Sequence, residues 1–234
     1  MLISLIVPCY NEEEAMPLFY KEASRVAAEM KASHGAEFEF IFVDDGSRDG
    51  TLRVARALHA QDPRVRYVSF SRNFGKEAGI YAGLQAAKGD YVATMDADLQ
   101  DSPDEIPAMR RMILDEGYDL VSGWKRKRHD PAGKRLPSRF FNWTARAVSG
   151  IRLHDFNCGL KAYRRKVVKA IEVYGEMHRY IPILAKQAGF RRIGEKAVEH
   201  RARKYGCSKF GMERMLKGSV SYTHLRAHET CADL

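Results

Sequence analysis

Short apolar runs alternate with helical stretches through the first half of the chain, and the runs close on polar or turn residues. Leu2–Val7 is closed by Pro8, and Phe38–Val43 by Asp44-Asp45-Gly46. Val65–Phe70 follows, and Tyr91–Met95 ends at Asp96. Another strand begins at Leu120-Val121. Between them Glu12–Lys31, Thr51–Ala60, Lys76–Lys88 and Pro103–Glu116 read as helices, the first with its acids at the positive end of the helix dipole. Strands alternating with helices of this length predict βαβ units and a largely parallel sheet. Such sheets bind ligands beyond the carboxyl ends of their strands, which is where the unusual polar residues fall here.

With 234 residues, 45% of them hydrophobic, the chain can bury the core of one large domain. Cys9, Cys158, Cys207 and Cys231 are far apart and form no Cys-x-x-Cys pair, so free thiols in a reducing compartment are expected, not a zinc or redox site. No signal peptide precedes the first strand, and no apolar run approaches the ~20 residues of a membrane span. A soluble or peripheral chain is expected. The net charge of +9 is unevenly spread. Residues 1–120 carry 13 Lys+Arg against 21 Asp+Glu, a net of −8, whereas residues 121–218 carry 25 against 7, a net of +18. The acidic half calls for a metal or a polar ligand, the basic half for phosphate, lipid headgroups or nucleic acid. The bland alternative is a solvated basic face.

Chemistry concentrates in three places. In Asp96-Ala97-Asp98-Leu99-Gln100, two carboxylates at i and i+2 on a strand-end turn can face one hard cation, with the Gln100 amide oxygen as a further ligand. A polar turn in which Asp98 caps a helix is the simpler explanation. In Val43-Asp44-Asp45-Gly46-Ser47-Arg48-Asp49-Gly50-Thr51, a carboxylate pair, glycines and a helix start suit a grip on a base and ribose; the plain alternatives are that Asp49 simply caps the next helix and that Asp44 is structural. Val7-Pro8-Cys9-Tyr10-Asn11-Glu12-Glu13 adds an aromatic face at the same edge. No Gly-x-Gly-x-x-Gly follows the first strand and no Walker motif occurs, so neither a dinucleotide fold nor a P-loop ATPase is supported.

This ordered set resembles family 2 glycosyltransferases of the GT-A fold: P-C-Y-N-E, V-D-D-G-S-x-D-G-T, S-R-N-F-G-K and D-A-D-L-Q-D. The resemblance runs from residue 2 to about 217. The D-L-Q-D stretch and the second half are similar to the polyprenyl-phosphate glycosyltransferases, such as dolichyl-phosphate mannose synthases, bactoprenol glucosyltransferases and undecaprenyl-phosphate aminoarabinose-type transferases. The resemblance implies a single α/β catalytic domain over 1–218: a Rossmann-like, mostly parallel sheet flanked by helices, with a nucleotide-sugar half (1–120) and an acceptor half (121–218). Residues 219–234 lack periodicity and read as a foreign tail on a truncated chain, replacing the membrane anchor of the full-length protein.

By the same resemblance, Pro8, Tyr10, Asn11 and Glu12 line the nucleoside pocket, Asp45 contacts base or ribose, and Lys76 lies near the nucleotide. Asp96 contacts the sugar nucleotide and joins Asp98 and Gln100 around Mg²⁺ or Mn²⁺. Asp155, in D-F-N-C-G-L-K-A-Y-R, is the acceptor-side carboxylate, catalytic together with Asp98; a loop acid satisfied by backbone donors is its plain alternative. Lys125, Arg135, Arg139, Arg179, Arg201, Arg203, Ser208 and Lys209 are expected around phosphate, the last four in H-R-x-R-x-Y-G-x-S-K. The run 125–128 reads more readily as a solvated or membrane-facing patch than as ligands.

The implied reaction is inverting transfer from a nucleotide sugar, UDP-linked before GDP-linked, to a polyprenyl phosphate at the cytoplasmic face of the membrane. The expected partners are donor, acceptor and an anionic membrane surface, not nucleic acid, and the oligomeric state is left open. One rival is a family 2 enzyme with a polysaccharide or other acceptor. Another, of a different class, is a basic nucleic-acid-binding module without catalysis, for which no recognised motif is present.

Overall fold

The computed structural model describes residues 1–126, 142–147, 149–171 and 177–201. Seven strands form one sheet: β1 (Leu2–Cys9), β2 (Glu37–Asp44), β3 (Val65–Ser69), β4 (Tyr91–Thr94), β5 (Leu120–Lys125), β6 (Lys161–Arg164) and β7 (Ile193–Val198). Their order is β3-β2-β1-β4-β6-β5-β7. β1 pairs parallel with β2 and β4, β2 with β3, and β5 with β7. Only β6 runs antiparallel, wedged between β4 and β5. The carboxyl ends of the six parallel strands therefore share one edge, and the chain entering β6 arrives at that same edge.

Helices cover both faces. Along β1, Ile3, Leu5 and Val7 join a core with Met16, Phe19 and Met30 of α1 (Ala15–His34), Ala55 and Leu58 of α2 (Thr51–Gln61) and Met109 of α4 (Ile106–Leu114). Ile6 points to the opposite core, with Ile80 and Leu84 of α3 (Lys76–Ala86), Val167 of α5 (Arg165–Ala170) and Ile181 of α6 (Ile181–Gln187). Each such side chain taken wholly from water contributes roughly 1.5–3 kcal/mol. At Gly83 a Cβ would stand 2.2 Å from Ile6 Cγ2, so the glycine lets α3 lie directly on β1. At the far end of the sheet, buried Glu39 accepts from Ser4 Oγ (2.5 Å), the Lys88 N–H (2.7 Å) and Arg66 Nη1 (2.9 Å), tying four strand ends together.

The boundaries depart from the sequence reading in two instructive places. α1 begins at Ala15, not Glu12, because residues 12 and 13 are held outside it: the Glu12 N–H donates to Thr51 Oγ1 (2.8 Å) and Glu13 Oε2 accepts from the Gly50 N–H (2.8 Å). The helix expected over 103–116 opens as a 3-10 turn, Pro103–Glu105, before α4. Among the described residues no helix is long and apolar enough to cross a membrane. The expected boundary at 218, the tail over 219–234, and Arg135, Arg139, Arg203, Ser208 and Lys209 lie outside the described residues.

Candidate active site

Three loops beyond β1, β2 and β3 interlock to make a pocket wall. Asn11, with φ 52°, turns the chain after β1, a conformation asparagine tolerates better than most residues. Its N–H donates to Ser47 Oγ (2.9 Å), and its Oδ1 accepts from the Arg48 N–H (2.8 Å). Asp44 is structural, accepting from the Ser47 N–H (3.0 Å) and Ser69 Oγ (3.0 Å). The N-cap of α2 is Gly50, and Asp49 just before it accepts from the Thr51 N–H (3.0 Å), so it serves the start of the helix without being its cap. Asp45 is buried, and its two oxygens accept from the N–H groups of Phe74 (2.7 Å) and Gly75 (3.0 Å). Burial outweighs those two bonds and raises its pKa. Asp45 thus shapes the 74–75 turn that launches α3. At the head of that helix, Lys76 forms a close ion pair with Asp96, 2.5 Å to Oδ1 and 2.7 Å to Oδ2.

The loop after β4 folds back on itself. Leu99 adopts φ 60°, a left-handed conformation costly for a branched side chain. The turn brings the Gln100 N–H to Asp98 Oδ1 at 3.1 Å. Two carboxylates and an amide, all hard oxygen donors, fit a divalent cation shared with phosphate oxygens. Asp101 and His200 are buried together beside this loop, with His200 Nδ1 3.5 Å from Asp101 Oδ1.

The opposite wall is the turn before β6. Asp155 is buried and its Oδ1 accepts from the Asn157 N–H (3.0 Å). Gly159 abuts the loop after β4: a Cβ there would come 2.6 Å from Asp96 Oδ2. Thr94 Oγ1 donates to the Gly159 carbonyl (3.0 Å), joining the two walls. Beneath them lies Lys161, wholly buried, its ammonium donating to the Cys158 carbonyl; burial lowers its pKa to about 8. Burial likewise pushes the Cys158 thiol up to about 12. Cys158 and Cys9 are both buried, and neither forms a disulfide among the described residues.

Lys125 and Arg201, expected on phosphate, are each held by a protein carboxylate. Lys125 turns inward to Asp101 Oδ1 at 3.1 Å; burial favours the neutral amine, but the Asp101 charge prevails and holds the ammonium above its usual pKa. Arg201 reaches Glu22 of α1 (3.3 Å) and Ser102 Oγ (3.3 Å). The Arg201 N–H donates to the Gln100 carbonyl (2.8 Å), and Gln100 Nε2 donates to the Arg201 carbonyl (3.4 Å), so Arg201 braces the 96–100 loop. Arg179 sits half-buried in the 3-10 turn Met177–Tyr180. Lys161 and Glu195 were missed in the sequence: a lysine in a strand reads as surface, and Glu195 is 40 residues from the turn it contacts.

The family model for glycosyl transferase family 2 matches residues 4–172. The chain belongs to this family. A family 2 chain 41% identical over 219 residues is the dodecaprenyl-phosphate galacturonate synthase of Rhizobium johnstonii, the match covering 92% of this chain and 63% of that one. The undecaprenyl-phosphate 4-deoxy-4-formamido-L-arabinose transferase of Pseudomonas aeruginosa is 39% identical over 217 residues, with 92% and 62% covered. The chain thus spans under two thirds of the length of these relatives. Among solved structures, the glucosyl-3-phosphoglycerate synthase of Mycobacterium tuberculosis with Mn²⁺ and UDP-glucose superposes with a TM-score of 0.68 at 22% identity, over 96% of this chain and 78% of that one. The shared fold is the GT-A architecture that the motifs imply.

Proposed function

We propose that this family 2 domain transfers a sugar from a nucleotide sugar, UDP-linked before GDP-linked, to a polyprenyl phosphate at the cytoplasmic membrane face, inverting the anomeric centre. The observation that carries the reading is the meeting of the Asp96–Gln100 loop with the Asp155–Gly159 turn across β4 and β6, a donor wall facing an acceptor wall. The names of the 41% and 39% identical relatives support the acceptor class.

Tyr10 and the Asp45-shaped loop hold the nucleoside, and Lys76 and Asp96 the sugar diphosphate. Asp98 and Gln100, with Asp96 beside them, would hold Mg²⁺ or Mn²⁺, which supplies Lewis acidity towards the diphosphate. A phosphate monoester with a second pKa near ~6 is largely dianionic at neutral pH, so its oxygen attacks the anomeric carbon without a general base while the nucleoside diphosphate departs from the opposite face. Asp155 then orients the acceptor or sugar rather than accepting a proton. The buried Lys161 ammonium adds fixed positive charge beneath the departing diphosphate. The basic second half holds the acceptor phosphate at the membrane, each cation near an anionic surface contributing about 1 kcal/mol.

A thermal-shift titration with UDP and GDP, with and without Mn²⁺, on wild type and Asp98→Ala tests the donor site. Nucleotide at ~100 times its dissociation constant stabilises by about 2.7 kcal/mol, a shift of a few degrees. Mn²⁺-dependent stabilisation by UDP, lost in Asp98→Ala, is expected. Transfer to undecaprenyl phosphate then tests the acceptor, and sugar transfer to a polysaccharide in its place would overturn that part.

A further inference from the structure

Glu195 lies on β7, outside every motif that the donor and acceptor walls contain, yet it is the residue that ties down the turn carrying Asp155. Its Oε1 accepts from two successive backbone N–H groups, His154 at 2.8 Å and Asp155 at 3.0 Å. Its Oε2 lies 2.7 Å from His154 Nδ1. The Glu195 side chain is 10% exposed and the His154 side chain 56%, so the carboxylate is sheltered while the imidazole stands at the surface. The His154 ring is in turn stacked on Trp124 of β5, with centroids 4.2 Å apart and planes 15° from parallel. From the other side, Ser122 Oγ donates to the Asp155 carbonyl (3.4 Å) and Asn142 Oδ1 accepts from the Phe156 N–H (3.2 Å). The turn is thus held by three elements distant in sequence, and Glu195 grips it through the N–H groups of both His154 and Asp155.

We infer that Glu195 is a positioning residue: a carboxylate clamp that sets the backbone of His154 and Asp155 so that Asp155 faces the acceptor, with the His154–Trp124 stack closing the clamp from outside. The inference rests on the acceptor-side reading of Asp155 above. A clamp acts through geometry, so its loss slows transfer while donor binding, which uses the other wall, is untouched. A glutamine at this position keeps the Oε1 acceptor for both N–H groups, which separates the clamp from the charge.

The test compares the whole chain as wild type, Glu195→Ala and Glu195→Gln. Three readouts are needed: amide hydrogen exchange at residues 154 and 155, UDP affinity with Mn²⁺, and transfer from UDP-galacturonate to undecaprenyl phosphate in micelles against UDP release without acceptor. In Glu195→Ala, exchange at both amides should rise about tenfold, the size expected for lost hydrogen bonds. Transfer kcat should fall by about 100-fold, the cost of a reacting group displaced by an ångström. UDP affinity and acceptor-free UDP release should stay at the wild-type level, and Glu195→Gln should restore slow exchange and most of the transfer. Unchanged exchange or unchanged transfer in Glu195→Ala would overturn the clamp. So would equal losses of transfer and UDP affinity, or a Glu195→Gln variant as impaired as the alanine. If wild type transfers nothing to undecaprenyl phosphate, the acceptor reading fails, and the exchange comparison alone decides whether Glu195 holds the turn.

Discussion

The Lys125 ammonium stands 3.1 Å from Asp101 Oδ1, with 15% of the lysine and 1% of the aspartate side chain exposed. His200 Nδ1 lies 3.5 Å from the same oxygen. The end of β5 and the residue that follows the 96–100 loop are thus joined by a nearly dry ion pair. Asp101→Asn would leave the ammonium buried without its counter-charge and should destabilise the fold by about 3–5 kcal/mol in urea unfolding. Adding Lys125→Met should recover most of that loss, since removing both charges is far cheaper than removing one. Additive losses would mean the two charges do not interact.

Gly159 is where the turn before β6 touches the loop after β4. In Gly159→Ala the new methyl would lie 2.6 Å from Asp96 Oδ2, so the carboxylate must turn away from Lys76. UDP affinity in Mn²⁺ should fall by about tenfold or more, at least ~1.4 kcal/mol, with the far-ultraviolet spectrum unchanged. Titration calorimetry would read it, and wild-type affinity would show that Asp96 has room to move.

Lys161 predicts a pH dependence with a definite sign. Burial lowers its pKa to about 8 from an ordinary 10.5. Below pH 8 both the folded and unfolded chains hold the proton, and the folded state bears the whole cost of the buried charge. Between pH 8 and 10.5 the folded chain has released the proton and the unfolded chain has not, so stability gains with rising pH from this group. The stability of wild type relative to Lys161→Met should therefore be flat below pH 8 and climb towards pH 10.5. A difference that does not change with pH in urea unfolding would show Lys161 titrating as in water.

The strand–helix alternation and the donor loop were legible because they are local. Asp96, Asp98 and Gln100 follow an apolar run directly, and the Leu99 turn is closed by a bond between residues two apart. What escaped was decided across the sheet. β6 is four residues long with a buried lysine at its head, a pattern that only its neighbours β4 and β5 convert into a strand. Lys125 opens a run of four basic residues that reads as surface, and only its register opposite Val198 turns it towards Asp101. Arg201 meets Glu22 across 179 residues, a contact no local rule anticipates. The acids at 12–14 suit a helix start by composition, but the 46–51 loop engages the Glu12 N–H and the Glu13 carboxylate and keeps both residues out of the helix.

The sheet order also sets when the site can exist during synthesis. Strands β1 to β4 can assemble as soon as they emerge, since each lies beside a strand already made. β5 emerges next but has no place, because its seat beside β4 belongs to β6, which comes 36 residues after Lys125. Until then β4 presents a bare edge with its carboxylate loop unbraced, and Asp101 waits for both Lys125 and His200. Non-local pairing of this kind is slow and leaves sticky edges on the nascent chain. The centre of the fold is completed from its far end, and a ribosome that stalls before residue 161 releases a polypeptide with four strands in order and no working cleft.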